Sequence, residues 1–322
     1  AMGTRKIGPA VAAGCTMVVK PAKQTPLSML ALAGIMEEAG LPKGVLNVFV
    51  SGSSSKTVAP LMEDPRLRKV SFTGSTEVGQ TLVQQSTKRL LRVSMELGGN
   101  APFLVFEDAD VDAAVEGALL AKMRNGGEAC TSANRFYVHD AVHDEFVAKL
   151  TARMSAMKVG RGTAEGTQVG PLIDESQRGI VRSLVEDALG RGAQVGTGTC
   201  PSGKGYFYAP TVLSDVAGDS RILREEIFGP VAPVVRFADD DAAIAAANDT
   251  DYGLVAYVFT RDTKKAFNVI ERLETGMVGL NQGIVSNAAA PFGGVKLSGY
   301  GREGGAEGID EYLYTKYAAL NV

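Results

Sequence analysis

The chain has 322 residues, 45% of them hydrophobic and 21% charged, with a net charge of −3. At roughly 150 residues per domain this length suggests about two domains and a sizeable core, and the lack of any concentrated basic patch excludes nucleic acid and anionic membrane surfaces as partners. No apolar run approaches the ~20 residues needed to span a bilayer, and three widely spaced cysteines, Cys15, Cys130 and Cys200, argue against a disulfide framework and for a reducing, cytoplasmic compartment.

Residue 1 is alanine rather than methionine, and the sequence reads as the middle of a longer protein. Behind Arg5 and Lys6, the stretch IGPAVAAGCTMVV has the look of a short signal peptide, and AAGC that of a lipoprotein cleavage box. Gly8, Pro9 and Gly14 interrupt it, so it is read as a small-residue segment leading into a buried strand at residues 16–19. A helix is predicted over 25–39, with Thr25 at the N-cap, Pro26 at the first helical position and Gly40 just past the end. Strands follow at 45–50, 69–74 and 91–97, with a loop at 51–55 and a helix over 75–85. Strand–helix–strand units of this length imply a parallel sheet with helices on both faces.

After residues 100–112 comes an amphipathic helix over 110–123, then a strand at 135–139 and helices over 142–157 and 175–191. A strand at 231–237, a helix over 242–248 and a strand at 254–260 complete the pattern. The glycine-rich stretch 196–205, with Cys200, reads as a surface loop. His139 and His143 have the i,i+4 spacing of paired metal ligands, but HDAVH lacks the acidic base of an H-E-x-x-H site and His139 ends a strand. The pair is read as surface residues, and no metal is assigned.

Four stretches could carry chemistry. In FTGSTEVG a strand ends at Gly74-Ser75 where a helix begins, which makes either an anion site or a plain connection. In VVKPAKQTP, Lys20 follows a strand end and Lys23 adds a second positive charge; they could reach a ribose or phosphate, or be two solvated lysines. In MELGGN, Glu96 ends an apolar strand before two glycines. Partial desolvation would raise its pKa toward that of a general base, while the alternative is a glutamate bonded to a turn. In RNGGEACTSANR, Cys130 is a lone cysteine among small polar residues, where a structural cysteine would have apolar neighbours. A thiolate nucleophile fits, and with only two histidines in the chain a papain-like Cys–His pair does not.

In order and spacing, GCTMVVKPAKQTP, FTGSTEVG, MELGGNAPF, GEACTSANR, EEIFGPVAPV and PFGGVKLSGYGRE resemble the aldehyde dehydrogenase superfamily over essentially the whole chain. Through TRK, KMRNGGEAC, GIVSN and EYLYTKYA the chain is most like the NADP-dependent succinate-semialdehyde dehydrogenases. The resemblance implies an α/β fold: a Rossmann-variant cofactor domain over 1–100, incomplete at its N-terminus, a catalytic domain over 101–298, and a C-terminal return with an oligomerisation strand over 299–322. It makes Cys130 the nucleophile and Glu96 the base that activates water. It assigns cofactor binding to Lys20, Pro21, Ala22, Lys23, Gly74, Ser75, the backbone at Leu97, Glu226 (a ribose acceptor) and Phe228. Lys23 stands where NAD-selective members often carry a glutamate, so NADP is expected in preference to NAD. Arg5, Arg124 and Ser286 match the positions that hold the substrate's distal carboxylate, and a guanidinium fork suits that group.

The implied activity is oxidation of succinate semialdehyde to succinate. A dehydrogenase of glutarate semialdehyde or another aldehyde, and a non-catalytic cofactor-binding fragment, are the alternatives. The expected partners are a small aldehyde and further copies of the chain in a homodimer or homotetramer. Glu128 replaces a usual glutamine, without evident effect, and Ser132 removes a second cysteine that relatives use as a redox switch. The family's oxyanion asparagine lies in a W-N-F-P motif expected before residue 1, so this chain alone is expected to be poorly active and unstable.

Overall fold

A computed structural model describes residues 2–199 and 201–321; the expected position of Cys200 lies outside them. The chain divides into two units, one of residues 1–96, 286–293 and 299–322, the other of 97–285 and 294–298.

The first unit opens on α1 (Met2–Ala12), then β1 (Met17–Val19), α2 (Leu27–Glu38), β2 (Leu46–Val48), α3 (Ser54–Glu63), β3 (Lys69–Thr73), α4 (Thr76–Ser86) and β4 (Arg92–Glu96). Residues 2–12 are thus helical, contrary to the reading of a small-residue lead-in. Ile7 and Ala10, one turn apart, are buried on one face, and that burial outweighs the poor helix propensity of Gly8 and Pro9. β1 is not a buried strand either. It pairs in parallel with β2 alone, as a two-stranded sheet, and Val18 stays exposed. The N-cap of α2 is Pro26 rather than Thr25, a shift within the usual uncertainty of helix ends. Gly40 takes φ +90° just beyond it, as a helix stop requires. No residue of α2 is buried, since two short strands offer it little surface. The expected parallel sheet is divided, with a second ladder in which β3 and β4 run in parallel and β14 (Gly299–Tyr300) joins β4 antiparallel.

The second unit holds β5 (Ala101–Val105), α5 (Val111–Met123), β6 (Ala133–His139), α6 (Asp140–Ser155), α7 (Glu175–Gly190), β7 (Gln194–Thr197), β8 (Thr211–Ser214), β9 (Val231–Phe237), α8 (Asp240–Asn248), β10 (Tyr252–Gly253), β11 (Val255–Phe259), α9 (Thr263–Arg272), β12 (Met277–Leu280) and β13 (Val295–Lys296), before the chain returns to the first unit at β14. Seven strands form one sheet in the order β12-β11-β5-β6-β9-β8-β7, parallel except for β7 against β8. Side chains alternate across it as the period of two demands. Phe103 and Val105 enter one core with α5 and α6, while Leu104 enters the other with α8 and α9. Phe103 stacks on Phe259 with ring centroids 4.9 Å apart and meets Phe136 tilted at 5.0 Å.

α5 is not amphipathic. Nine of its thirteen residues are buried, so its apolar positions are not confined to one stripe. His143 is buried, not a surface residue, and His139 caps α6 by accepting from the Ala141 N–H. Among the described residues no group of three or more His, Cys, Asp or Glu is arranged to hold a metal, and no helix is long and apolar enough to cross a membrane. Within the 299–322 segment expected to hold an oligomerisation strand, residues 313–321 form no ladder within the described chain. A strand needs an edge to bond, and Tyr314, Tyr317 and Leu320 are left 85, 88 and 82% exposed.

Candidate active site

In the second unit α5 ends at Met123, and the next turn takes three consecutive left-handed residues, Asn125, Gly126 and Gly127. At Gly127 any Cβ would also lie 2.2 Å from the Gly229 carbonyl. This tight turn sets Cys130, half-buried, just before β6 at the amino ends of β5 and β6. Arg124 Nη2 donates to Thr131 Oγ1 at 2.8 Å, and the buried Tyr257 hydroxyl donates to the Thr131 carbonyl at 2.8 Å. The structure therefore brings Arg124 to the residue beside Cys130. Cys130 and Cys15 form no disulfide.

Gly99 lies against the same loop: a Cβ there would meet the Cys130 carbonyl oxygen at 2.2 Å. A Gly99→Ala protein is expected to push the cysteine's backbone out of place. Alkylation of Cys130 by iodoacetamide should then change rate, with the far-ultraviolet circular dichroism unaltered; an unchanged rate would refute the contact. The Gly99 N–H donates to Glu226 Oε1 at 3.1 Å. Burial raises the Glu226 pKa to about 7, partly countered by that N–H and by Lys122. Gln177 Nε2 donates to the Ile227 and Phe228 carbonyls, both at 3.0 Å, and so pins the turn in which Phe228 takes φ +48°. The Leu97 N–H bonds the Ser298 carbonyl at 3.0 Å, and Ser298 Oγ donates to Gly98 O at 2.7 Å.

Glu128 has a role the sequence did not reveal. Its Oε1 accepts from the Ile173 N–H at 3.1 Å, a bond that a glutamine carbonyl would make equally well. Ser132 is buried and its Oγ lies 3.5 Å from the Lys122 carbonyl.

In the first unit Lys20, Gly74 and Glu96 sit at strand carboxyl ends, while Arg5 lies on α1. Glu96 ends β4, the middle strand of its ladder, and is 3% exposed. Its Oε2 has no protein partner. Burial first, then the Glu303 charge, pushes its pKa up to about 8, against the pull of Lys6, Arg302 and Arg5. Lys6 forms an ion pair with Glu303 and donates to Thr73 Oγ1 at 2.7 Å. Neither Lys6 nor Glu303 has a site role in the sequence reading, where Glu303 stands in the quoted GRE and Lys6 in TRK. Arg5 and Ser286, predicted together, do meet: Arg5 Nη2 donates to Ser286 Oγ at 3.4 Å. The guanidinium lies 3.9 Å from the Phe292 ring centroid, and its buried Nη1 has no protein partner.

Lys20 follows β1, its Nζ donating to the Pro21 carbonyl at 3.0 Å, and Lys23 is exposed in the turn after Ala22. Gly74 donates to the Glu96 carbonyl at 3.1 Å. Ser75 occupies the N-cap of α4 in an extended conformation, and its side chain makes no cap bond. The positive end of α4 is thus directed past Ser75, although Glu77 in the first turn already places a negative charge there.

Comparison with known proteins places the chain among its relatives. A succinate-semialdehyde dehydrogenase of Paenarthrobacter nicotinovorans is 59% identical over 99% of this chain and 71% of its own length. Succinate-semialdehyde dehydrogenase (NADP+) GabD of Escherichia coli is 52% identical over 100% of this chain and 67% of its own. A glutarate-semialdehyde dehydrogenase of Pseudomonas aeruginosa is 51% identical over 99% and 66%. The crystal structure of an E. coli NADP-dependent enzyme superposes with a TM-score of 0.97 at 52% identity, over 100% of this chain and 67% of that one. The chain thus spans about two thirds of the length of these relatives. The sequence model of the aldehyde dehydrogenase family matches residues 1–318, and the chain belongs to that family.

Proposed function

We propose that the protein oxidises succinate semialdehyde to succinate, with NADP preferred to NAD. The cofactor's chemistry fits the donor set: Lys20, Lys23 and the amino end of α4 suit phosphates, and the Glu226 carboxylate suits ribose hydroxyls. NADP is favoured because Lys23 is a cation where a 2′-phosphate would be received, and the E. coli relative carries NADP in its name.

Cys130 as thiolate attacks the aldehyde carbon and forms a C–S bond, giving a thiohemiacetal. A nicotinamide nucleotide, for which Lys20, Lys23 and Glu226 are the binding residues, would supply the acceptor for the hydride that this carbon gives up. A thioester on Cys130 remains. Glu96 then takes a proton from water as the oxygen attacks the thioester carbonyl. The C–S bond breaks, the carboxylic acid product leaves and the Cys130 thiolate returns. A base with a pKa of about 8 is well matched to proton transfer near neutral pH.

The observation that carries the substrate reading is the buried Arg5 Nη1 without a protein partner, beside Ser286. Such a donor costs free energy until an acceptor fills it, and a distal carboxylate fills it. The exposed tail residues Tyr314, Tyr317 and Leu320 support a homodimer or homotetramer in which a second copy covers them, and three cysteines far apart in the sequence support a cytoplasmic setting. The test is reduced-nicotinamide formation with succinate semialdehyde and with butanal, which lacks the carboxylate. Succinate semialdehyde should be favoured by ~10²-fold or more in kcat/KM, and NADP over NAD. Equal rates would overturn the substrate assignment. Cofactor binding without turnover of any aldehyde would overturn the dehydrogenase activity. Glutarate semialdehyde, one methylene longer, should differ by only ~1–3 kcal/mol.

A further inference from the structure

α5 buries a lysine. Lys122 is 0% exposed on a helix whose other buried positions hold Ala, Val, Leu, Met and Gly. A methionine would fill that space without desolvating an amine, and none of the roles above uses the charge. Its Nζ donates to Asn134 Oδ1 at 2.9 Å. Asn134, also buried, points Nδ2 at the Gly99 carbonyl at 3.5 Å, and the Gly99 N–H donates to Glu226 Oε1 at 3.1 Å. The path Lys122–Asn134–Gly99–Glu226 lies wholly within the second unit.

We propose that Lys122 is a positioning residue for Glu226: a buried cation that keeps Glu226 a carboxylate, aimed through Asn134 and Gly99, so that it can accept ribose hydroxyl hydrogen bonds. The proposal rests on the reading above that Glu226 receives a nicotinamide nucleotide. Oε1 is occupied by the Gly99 N–H, which leaves Oε2 for the ligand, and a proton on the carboxyl would spoil that acceptor. Burial pulls the two groups toward neutrality, Lys122 down to about 7 and Glu226 up to about 7, and each draws the other back toward its charged form. No other charged group contributes to either balance among the described residues.

The experiment is titration with NADPH, followed by its fluorescence, from pH 5.5 to 9. It uses the wild-type chain, Lys122→Met, Lys122→Gln, Glu226→Gln and the double variant Lys122→Gln with Glu226→Gln. Lys122→Gln keeps a hydrogen-bonding group opposite Asn134 and covers the case in which Lys122→Met fails to fold. In the Lys122 variants the NADPH Kd at pH 7 should rise about fivefold, as a pKa rise of one unit from about 7 in Glu226 would produce. The loss should shrink by pH 9, where Glu226 ionises unaided. In the Glu226→Gln background, replacing Lys122 should change nothing further. A loss of the same size at every pH, or one that persists without Glu226, would overturn the proposal and make Lys122 a packing residue. Failure of the wild-type chain to bind NADPH at any pH would instead overturn the cofactor reading on which it rests.

Discussion

Replacing Glu96 by glutamine is expected to halt turnover and, at alkaline pH, to make the protein harder to unfold. Both effects come from one property: a carboxyl 3% exposed, with an unpartnered oxygen and a pKa raised to about 8. Its folded pKa lies above the unfolded value of about 4.5. Between those values the folded state holds a proton that the unfolded state releases, so stability falls as pH rises through that window and stays lowered above it. At ~1.4 kcal/mol per pKa unit the loss is on the order of a few kcal/mol. Glutamine carries no charge to desolvate. Urea unfolding at pH 5 and pH 9 should therefore show two nearly equal proteins at pH 5 and a more stable variant at pH 9. Turnover should fall by ~10²–10⁴, with an acyl group accumulating on Cys130 by mass spectrometry. Parallel pH dependence in the two proteins would mean that Glu96 is not held as a desolvated base.

Arg135→Met is expected to cost about 3–5 kcal/mol of stability, more than any substitution on the exposed surface. Arg135 is 1% exposed, and no carboxylate bonds it. Its Nε donates to the Asn100 carbonyl at 2.9 Å, Nη1 to Ala246 at 3.0 Å and Nη2 to Ala247 at 2.8 Å. Ala246 and Ala247 lie in the last turn of α8, the negative end of that helix, where a cation is stabilised. Methionine fills the volume but takes the donor from the Asn100 and Ala247 carbonyls, at ~1–3 kcal/mol for each that is fully buried, while Ala246 keeps the Tyr137 hydroxyl at 3.3 Å. Arg135→Lys should recover only part, because one ammonium lacks the fork that reaches three acceptors. Denaturant unfolding decides it: a loss under ~1 kcal/mol for the methionine variant would refute this account.

The elements legible in the sequence were those whose apolar runs or caps are self-sufficient. The 231–237 strand is β9 with the same ends. α7 begins one residue after Asp174, whose side chain accepts from the Gln177 N–H. α3 was missed because SSKTVAPLME has few apolar residues and an interior Pro60. β5, the third strand of the large sheet, was passed over because NAPFLVF was read only as part of a motif. The strands β7, β8 and β12, four residues each, and helix α9 were not seen at all. At the candidate site, Glu96 and Cys130 announced themselves by local context, a strand end before glycines and a cysteine among small polar residues. Lys6 and Glu303 could not, since their pairing spans 297 positions. Lys122, within the helix read as amphipathic, is inside the protein.

The tail from 313 to 321 has a practical side. It has tyrosines at 314 and 317, no proline, and only one charged side chain, Lys316. An extended, weakly charged segment with its apolar side chains in water is the kind that self-associates as concentration rises, and a single lysine is a thin guard against it. Shelf life and monodispersity of the purified chain are therefore governed less by its well-packed sheet than by these nine residues.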